Sequence, residues 1–234
     1  MAKKYVSNKD ESVRMFRSDF LEAFTRVHPA IPHLIYIPVI AVMLYWSIRL
    51  GLGVGQIALL VAVGALIWSL IEYVGHRFGF HAPPDVEDDV REALARLAPG
   101  EAALPAIKGW RHMIYFVAHG VHHDFPNDSR RLVLPPGVSV PLAVIFFFLF
   151  RLAFGVIYGP AAFAGLVLGY LVYDTVHYAV HHFRLHGRLT LFLKKHHFRH
   201  HYQNSTRDFG VSSPLWDLVF RSWNRQRERV QQPT

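Results

Sequence analysis

The chain contains no cysteine among its 234 residues. Disulfides, thiolate zinc sites and cysteine-ligated iron–sulfur clusters are therefore excluded. Charged residues are also scarce, at 18% of the sequence, and lysine and arginine outnumber the acidic residues by 25 to 17. No nucleic-acid-binding motif accompanies this charge, so we expect it to face anionic lipid rather than DNA or RNA. The first thirty residues lack the apolar core of a signal peptide, and we expect the first span to lead insertion.

Four long apolar stretches are present, and hydrophobic residues make up 52% of the chain. They cover roughly 34–50, 56–74, 138–157 and 161–178, and each approaches the ~20 residues that cross a bilayer as a helix. The turns between them, GLGVG at 51–55 and YGP at 158–160, are too short to hold a domain. The pattern predicts four transmembrane helices in two hairpins, in preference to a soluble protein with four buried helices.

The positive residues indicate how the hairpins are oriented. Six lysines and arginines precede the first stretch, seven lie between the hairpins and ten follow the last stretch. Only Arg49 and Arg151 lie near the short turns. The positive-inside rule then places both termini and the central segment in the cytoplasm.

The predicted fold is an all-α membrane protein with a cytoplasmic helical cap, in one catalytic domain. Its segments are an amphipathic interfacial segment (1–33), a first transmembrane hairpin (34–74), a cytoplasmic cap (75–137), a second transmembrane hairpin (138–180) and a C-terminal cap (181–234). Apolar residues at three- and four-residue intervals predict an amphipathic helix over 12–28, lying on the membrane or against the cap. In the central segment we expect one helix from Pro83 to just before Gly100, and another from Ile107 into His119.

Ten of the sixteen histidines fall in four clusters. Two clusters are copies of His-x-x-His-His, in HGVHHDFP and HFRHH, and two are flanking pairs, in HRFGFH and HYAVH. Imidazole is a common ligand of iron, zinc, copper and nickel, and ten ligands suit two ions. The topology puts all ten at the cytoplasmic face. The predicted ligands are His76, His81, His119, His122, His123, His177, His181, His197, His200 and His201.

The spacing within each cluster predicts which rings share an ion. His177 and His181 are four apart and lie on one helix face. His76 and His81 are five apart, which suits a chain that bends at a helix end. In each His-x-x-His-His motif we expect the first two histidines to share a face and the third to reach a neighbouring ion.

Two aspartates are candidates for orienting the metal-bound rings, because such a ring commonly donates its second N–H to an oxygen. Asp174 precedes His177 on the same helix, and a carboxylate in a span is commonly functional. Asp217, in PLWD, is either such an acceptor or a helix cap. The remaining histidines are assigned no role: His28, His33, His112, His182, His186 and His196.

The four clusters resemble the histidine boxes of the membrane fatty acid hydroxylase and sterol desaturase superfamily, most of all its fatty acid 2-hydroxylases. The pair His177 and His181, the four residues between His76 and His81, and the segments FRSDFLEAFTRVHP and FGVSSPLWDLVF favour that branch. The resemblance implies a di-iron oxygenase that uses O2 and external electrons to hydroxylate the 2-carbon of a fatty acid or sphingolipid acyl group. No catalytic residue is expected beyond the metal centre. Zinc is expected to compete for the same site, since it binds such ligands more tightly than ferrous iron.

Eukaryotic members commonly carry a cytochrome b5 domain for which this chain has no room, so we expect a separate electron donor, cytochrome b5-like or of the ferredoxin type. That absence, with nineteen arginines to six lysines, favours a bacterial inner membrane over the endoplasmic reticulum. One alternative is a sterol or carotenoid hydroxylase or desaturase of the same superfamily. An alternative of another class is a metal transport or storage protein, although transporters place their ligands near the bilayer midplane.

Overall fold

A computed structural model describes residues 4–224, and every regular element in that range is helical, as predicted. The α-helices are α1 (Asp19–Ala23), α2 (Ile31–Arg49), α3 (Val54–Val74), α4 (Pro84–Ala95), α5 (Trp110–Tyr115), α6 (Val121–Asp124), α7 (Pro136–His182), α8 (Arg188–Tyr202) and α9 (Leu215–Val219). Two π-helical segments, Gly75–Phe80 and Phe116–Gly120, continue α3 and α5, and a short 3₁₀ turn covers Leu104–Ala106.

Three of these helical stretches are long and apolar enough to cross a membrane. They are Ile31–Arg49, Val54–Phe80 and Pro136–His182. Only 17%, 6% and 6% of their most apolar windows are buried inside the protein. Such broad apolar surface is unfavourable in water and suits lipid, so the chain is a multi-pass membrane protein.

Helix α7 turns back on itself at Gly155, where φ of 75° and ψ of 177° leave helical geometry. The reversal brings Arg151 beside Gly159, so that a methyl group built on Gly159 would lie 3.1 Å from the Arg151 Cα. The turn predicted at 158–160 is therefore misplaced, and those residues lie inside the second arm of α7. Glycine tolerates the positive φ that the reversal needs, whereas tyrosine and proline do not.

Glycines let α3 approach the second arm of α7 closely. A methyl group on Gly64 would lie 1.9 Å from the carbonyl oxygen of Ala162, and one on Gly165 would lie 2.1 Å from that of Val61. Small residues commonly mark such contacts between helices in membranes. This contact sets the end of α3, which leads into His76, relative to the end of α7.

The amphipathic helix predicted over 12–28 is wrong, since only Asp19–Ala23 is helical. The side chain of Glu22 accepts hydrogen bonds from the backbone N–H groups of Met15 and Phe16, at 2.9 and 3.0 Å. Arg131 donates to the same carboxylate at 2.6 Å. The segment before α1 therefore wraps around a buried ion pair instead of continuing the helix.

The central segment folds into a helical layer whose apolar core it shares with the N-terminal segment. Helix α4 starts as predicted but ends at Ala95, five residues before Gly100. The second predicted helix begins at Trp110 rather than Ile107 and runs through a π-helical segment into α6. The core of this layer consists of Met15, Val86, Val90, Leu94, Ala103, Ile107, Tyr115, Phe116, Val121 and Phe125.

Candidate metal centre

The ten predicted ligands come together as two groups of five. Group one is His76, His81, His119, His123 and His200, and group two is His122, His177, His181, His197 and His201. Within each group, one nitrogen from each ring lies within 4.8 Å of the corresponding nitrogens of the other four rings. Each group therefore places five donor atoms around one point.

The two His-x-x-His-His motifs cross between the groups. In the first motif, His119 and His123 belong to group one and His122 to group two. The second motif gives its outer histidines to group two and its middle one to group one. The pairing predicted from the sequence, in which the first two histidines of each motif share an ion, therefore differs from the structure. Residues four apart are only about 40° apart around a helix, closer than residues three apart, so the outer two share a face.

The spacing of the ring nitrogens fits coordination to a common ion. In group one, neighbouring Nε2 atoms are 2.9 to 3.2 Å apart. The Nε2 pairs in contact in group two are 2.9 to 3.0 Å apart. Two nitrogens bound at right angles to an ion ~2.1 Å away lie about 3.0 Å apart, against about 3.4 Å in a tetrahedron. The nearest ring nitrogens of each group therefore lie as close together as ligands that would share one ion.

The π-helical segments hold two of the group-one rings. His76 lies in Gly75–Phe80 and His119 in Phe116–Gly120. Such widened turns occur often at functional sites. The bend expected between His76 and His81 is present, because the backbone becomes extended at His81 and brings the two Nε2 atoms to 3.2 Å.

Burial keeps the rings in the form that binds metal. Desolvation lowers the pKa of His122 well below its ordinary value of 6.5, and the neighbouring His177 and His181 lower it further. The pKa of His123 is lowered in the same way by burial and by neighbouring imidazoles. These rings are neutral at physiological pH, as metal ligands must be. The residues present therefore fit two divalent metal ions.

Three rings of group one are fixed by a hydrogen bond at Nδ1, the nitrogen that points away from the group. The Nδ1–H group of His81 donates to Glu87 at 2.9 Å. That of His200 donates to the carbonyl oxygen of Arg207 at 2.7 Å, and that of His76 to the carbonyl oxygen of Phe209. Each bond leaves Nε2 free for an ion. Sequence reasoning missed Glu87, because the segment that begins at Pro83 was interpreted only as a helix.

Group two lacks this support in the part of the chain that the structure describes. The Nδ1 atoms of four of its five rings are buried and have no hydrogen-bond partner there. These rings are His177, His181, His197 and His201. The two groups therefore differ in their surroundings although their ligands are the same.

Asp217 does not hydrogen-bond to a ligand ring and instead holds the backbone beside one. Its carboxylate accepts hydrogen bonds from the N–H groups of Phe209 and Gly210, at 2.9 and 2.8 Å. Its imidazole partner, at 3.1 Å, is His196, which the sequence analysis assigned no role and which is fully buried. Asp217 thus holds the loop whose Phe209 carbonyl accepts from His76. The other unassigned histidines (His28, His33, His112, His182 and His186) lie outside both groups.

A largely apolar cavity of about 310 Å³ lies beside both groups. His119 of group one and His122 and His177 of group two line it, together with Asp174. Asp174 is 2% exposed and hydrogen-bonds to no histidine. A second, smaller hollow shares Trp68 and other apolar lining with this cavity and lies between α2, α3 and α7. An apolar compartment therefore runs from the histidines into the membrane helices.

Comparisons with known proteins agree with this geometry. The model of a family described as fatty acid hydroxylase matches residues 61–222. A dihydroceramide fatty acyl 2-hydroxylase of Arabidopsis thaliana is 36% identical, over 90% of this chain and 79% of the relative. A fatty acid 2-hydroxylase of Mus musculus is 34% identical, over 90% of this chain and 56% of the relative. A solved structure of full-length scs7p, with only the hydroxylase domain visible, is 28% identical with a TM-score of 0.76, over 99% of this chain and 83% of that one.

Proposed function

We propose that this chain, which belongs to the fatty acid hydroxylase family, hydroxylates a fatty acyl chain at its 2-carbon. The observation that carries the proposal is the pair of five-histidine groups beside an apolar cavity. In the reaction, a C–H bond, O2, two electrons and two protons give a C–OH bond and water. The metal ions, when bound, supply the activation of O2.

We propose iron as the functional metal, in two ions held by the ten histidines. Oxygenation needs a metal that changes oxidation state, which zinc does not. The neutral imidazoles suit iron and zinc alike, so the support for iron is the chemistry of the named relatives. Purified protein that contains zinc would then be expected to be inactive.

The cavity would hold the acyl chain with its 2-carbon beside His122 and His177. The tail would extend among the apolar side chains shared by α3 and α7, and Asp174, which lines the cavity but hydrogen-bonds to no histidine, would contact the head group. The name of the Arabidopsis relative makes the acyl amide of a sphingoid base the first substrate to test. A free acid and a thioester come next. The protein's own task would be to hold one carbon near the oxidant and exclude water.

For the membrane arrangement, we propose four crossings in two hairpins, 34–74 and 138–180, with α7 crossing twice. Both termini and the histidine groups would lie on the cytoplasmic side, which the distribution of lysine and arginine supports. A separate cytochrome b5-like or ferredoxin-type protein would supply electrons. The named relatives come from a plant and a mammal, so they do not favour the bacterial inner membrane suggested by the sequence. Their activities also favour neither sterol chemistry nor metal transport.

The experiment that tests this function is a lipid analysis of cells that express the chain. Total lipid is hydrolysed and its 2-hydroxy fatty acids are measured, beside a His122→Ala control, in a host without such lipids. We expect the hydroxylated acids only with the intact chain. No product, with iron and a reductase supplied, would contradict 2-hydroxylation.

A further inference from the structure

The two histidine groups differ in what lies behind their rings. In group one, three Nδ1–H groups donate to fixed oxygens, those of Glu87, Arg207 and Phe209. In group two, four buried Nδ1 atoms have no hydrogen-bond partner among residues 4–224. The ligand type and number are equal, so this outer contact is a difference between the groups that the ligands themselves do not explain.

The loop 207–212 supplies two of the three acceptors, and two buried carboxylates hold it in place. Asp217 accepts hydrogen bonds from two successive backbone N–H groups of the loop, at 2.9 and 2.8 Å. Glu72, on α3, accepts from the next two, at 2.8 and 2.9 Å. Gly210 has no room for a side chain, since a Cβ there would lie 2.1 Å from the carbonyl oxygen of Ser213. The loop carbonyls are therefore fixed before any ion binds.

Glu87 is fixed as well. Its side chain is 6% exposed, and the second carboxylate oxygen accepts a hydrogen bond from the hydroxyl of Ser205 at 3.0 Å. The first oxygen is thus held in place for His81.

We propose that group one binds its metal ion more tightly than group two, and that Glu87 and the loop 207–212 cause the difference. The inference rests on the proposed function, which requires both ions. A ring whose Nδ1–H group is already hydrogen-bonded is held in one tautomer and one orientation, so binding an ion costs less reorganisation. Loss of such an outer partner commonly weakens metal binding by about 10- to 100-fold. Glu87 is a positioning residue, because it acts through His81.

Two double variants isolate the groups. His177→Ala/His181→Ala leaves group one complete, and His76→Ala/His81→Ala leaves group two complete. Each full-length protein is purified in detergent, loaded with Zn²⁺ and titrated with a chelator, and bound zinc per chain is measured by mass spectrometry. Using one ion per chain matters, because repulsion between two nearby dications would separate the release steps of even identical sites. We expect group one to hold its ion about 10- to 100-fold more tightly.

A third substitution assigns the cause. Glu87→Ala should reduce that difference where only group one is complete, and should not change zinc affinity where only group two is complete. Glu22→Ala is the matched control, because Glu22 is also a buried, hydrogen-bonded carboxylate, and its partners are backbone N–H groups and Arg131 rather than a ligand histidine. It should leave zinc affinity unchanged in both backgrounds. An equal loss from both groups in Glu87→Ala would indicate general destabilisation and overturn the inference.

If a double variant fails to fold, Glu87→Ala alone is compared with the unaltered chain carrying two Zn²⁺. The more tightly bound Zn²⁺ should then be released at a lower chelator concentration, closer to that which releases the weaker one. If the tighter ion were released at the same chelator concentration as in the unaltered chain, the proposal would be overturned. Equal affinities in the double variants, or tighter binding by group two, would also overturn it. Equal sites in a chain that still produces 2-hydroxy lipid would leave the proposed function standing. A chain that binds no zinc at either group would contradict both.

Discussion

The contact between α3 and the second arm of α7 leaves no space for a methyl group at Gly165. A Cβ there would lie 2.1 Å from the carbonyl oxygen of Val61 and 2.7 Å from the Val61 Cα. Unstrained non-bonded contacts of carbon are about 3.5–4.0 Å, so Gly165→Ala would force the helices apart by more than ~1 Å. The atoms in the way are backbone, which cannot rotate aside as a side chain can.

The expected cost follows from two opposing effects. Overpacking of this kind destabilises by about 1–3 kcal/mol. Alanine is the better helix former and offsets up to ~1 kcal/mol of that. We therefore expect a net loss in the free energy of unfolding. Because α3 leads to His76 and α7 carries His177, the separation should also shift group one relative to group two and reduce metal occupancy.

The assay is the thermal unfolding midpoint of the purified protein in detergent, together with bound metal per chain. Gly55→Ala, also in α3, is the matched control, because no atom lies within 4 Å of its added Cβ. It should be neutral or stabilising by up to ~1 kcal/mol. If Gly165→Ala were as stable as Gly55→Ala, with the same metal content, the close packing of α3 on α7 would be refuted.

Three further predictions concern the turn and the metal ligands. Gly155→Ala should lower the unfolding midpoint by the equivalent of about 1–3 kcal/mol, because alanine disfavours the positive φ at this position. Lack of space is not the cause, since no atom lies within 4 Å of the added Cβ. An unchanged midpoint would count against the reversal of α7 at Gly155. His122→Ala should abolish 2-hydroxylation and lower bound metal while the protein still inserts; full activity would contradict the assignment. Since the folded-state pKa of His122 lies below 6.5, the unfolded chain binds more protons in acid. Stability and metal occupancy should therefore fall as pH drops below about 6.5, and retention of both ions near pH 4 would argue against imidazole ligation.

The apolar helices could be predicted from the sequence because lipid imposes their length and composition directly. Their boundaries follow from the same hydrophobic runs, as α2 and α3 show. The segment before α1 could not be predicted in this way. Its conformation depends on the pair of Glu22 and Arg131, which are 109 positions apart in the chain. Local periodicity carries no information about such a contact, so it predicted a helix where the chain wraps around a carboxylate.

The histidine clusters were recognisable because the type of ligand and its spacing along the chain can be seen directly in the sequence. Their division into two groups was not, because spacing fixes only the angle of a ring around its own helix. His122 and His123 are adjacent in sequence and belong to different groups. Which rings meet depends on how α3, α6, α7 and α8 converge, and the predicted pairing within each motif was wrong for that reason.

The difference in Nδ1 hydrogen bonding between the two groups is still harder to predict from the sequence. Two of the three outer acceptors are backbone carbonyls, which every residue possesses, so no residue type marks them. What the sequence does contain is the pair of carboxylates that hold those carbonyls, Glu72 and Asp217, and neither contacts a ligand ring. Substituting the loop residues would leave their carbonyls in place and reveal little. For these two carbonyl acceptors, the informative substitutions are therefore at Glu72 and Asp217. A change in zinc affinity at group one alone would show that the fold, and not the ligand set, makes the two groups unequal.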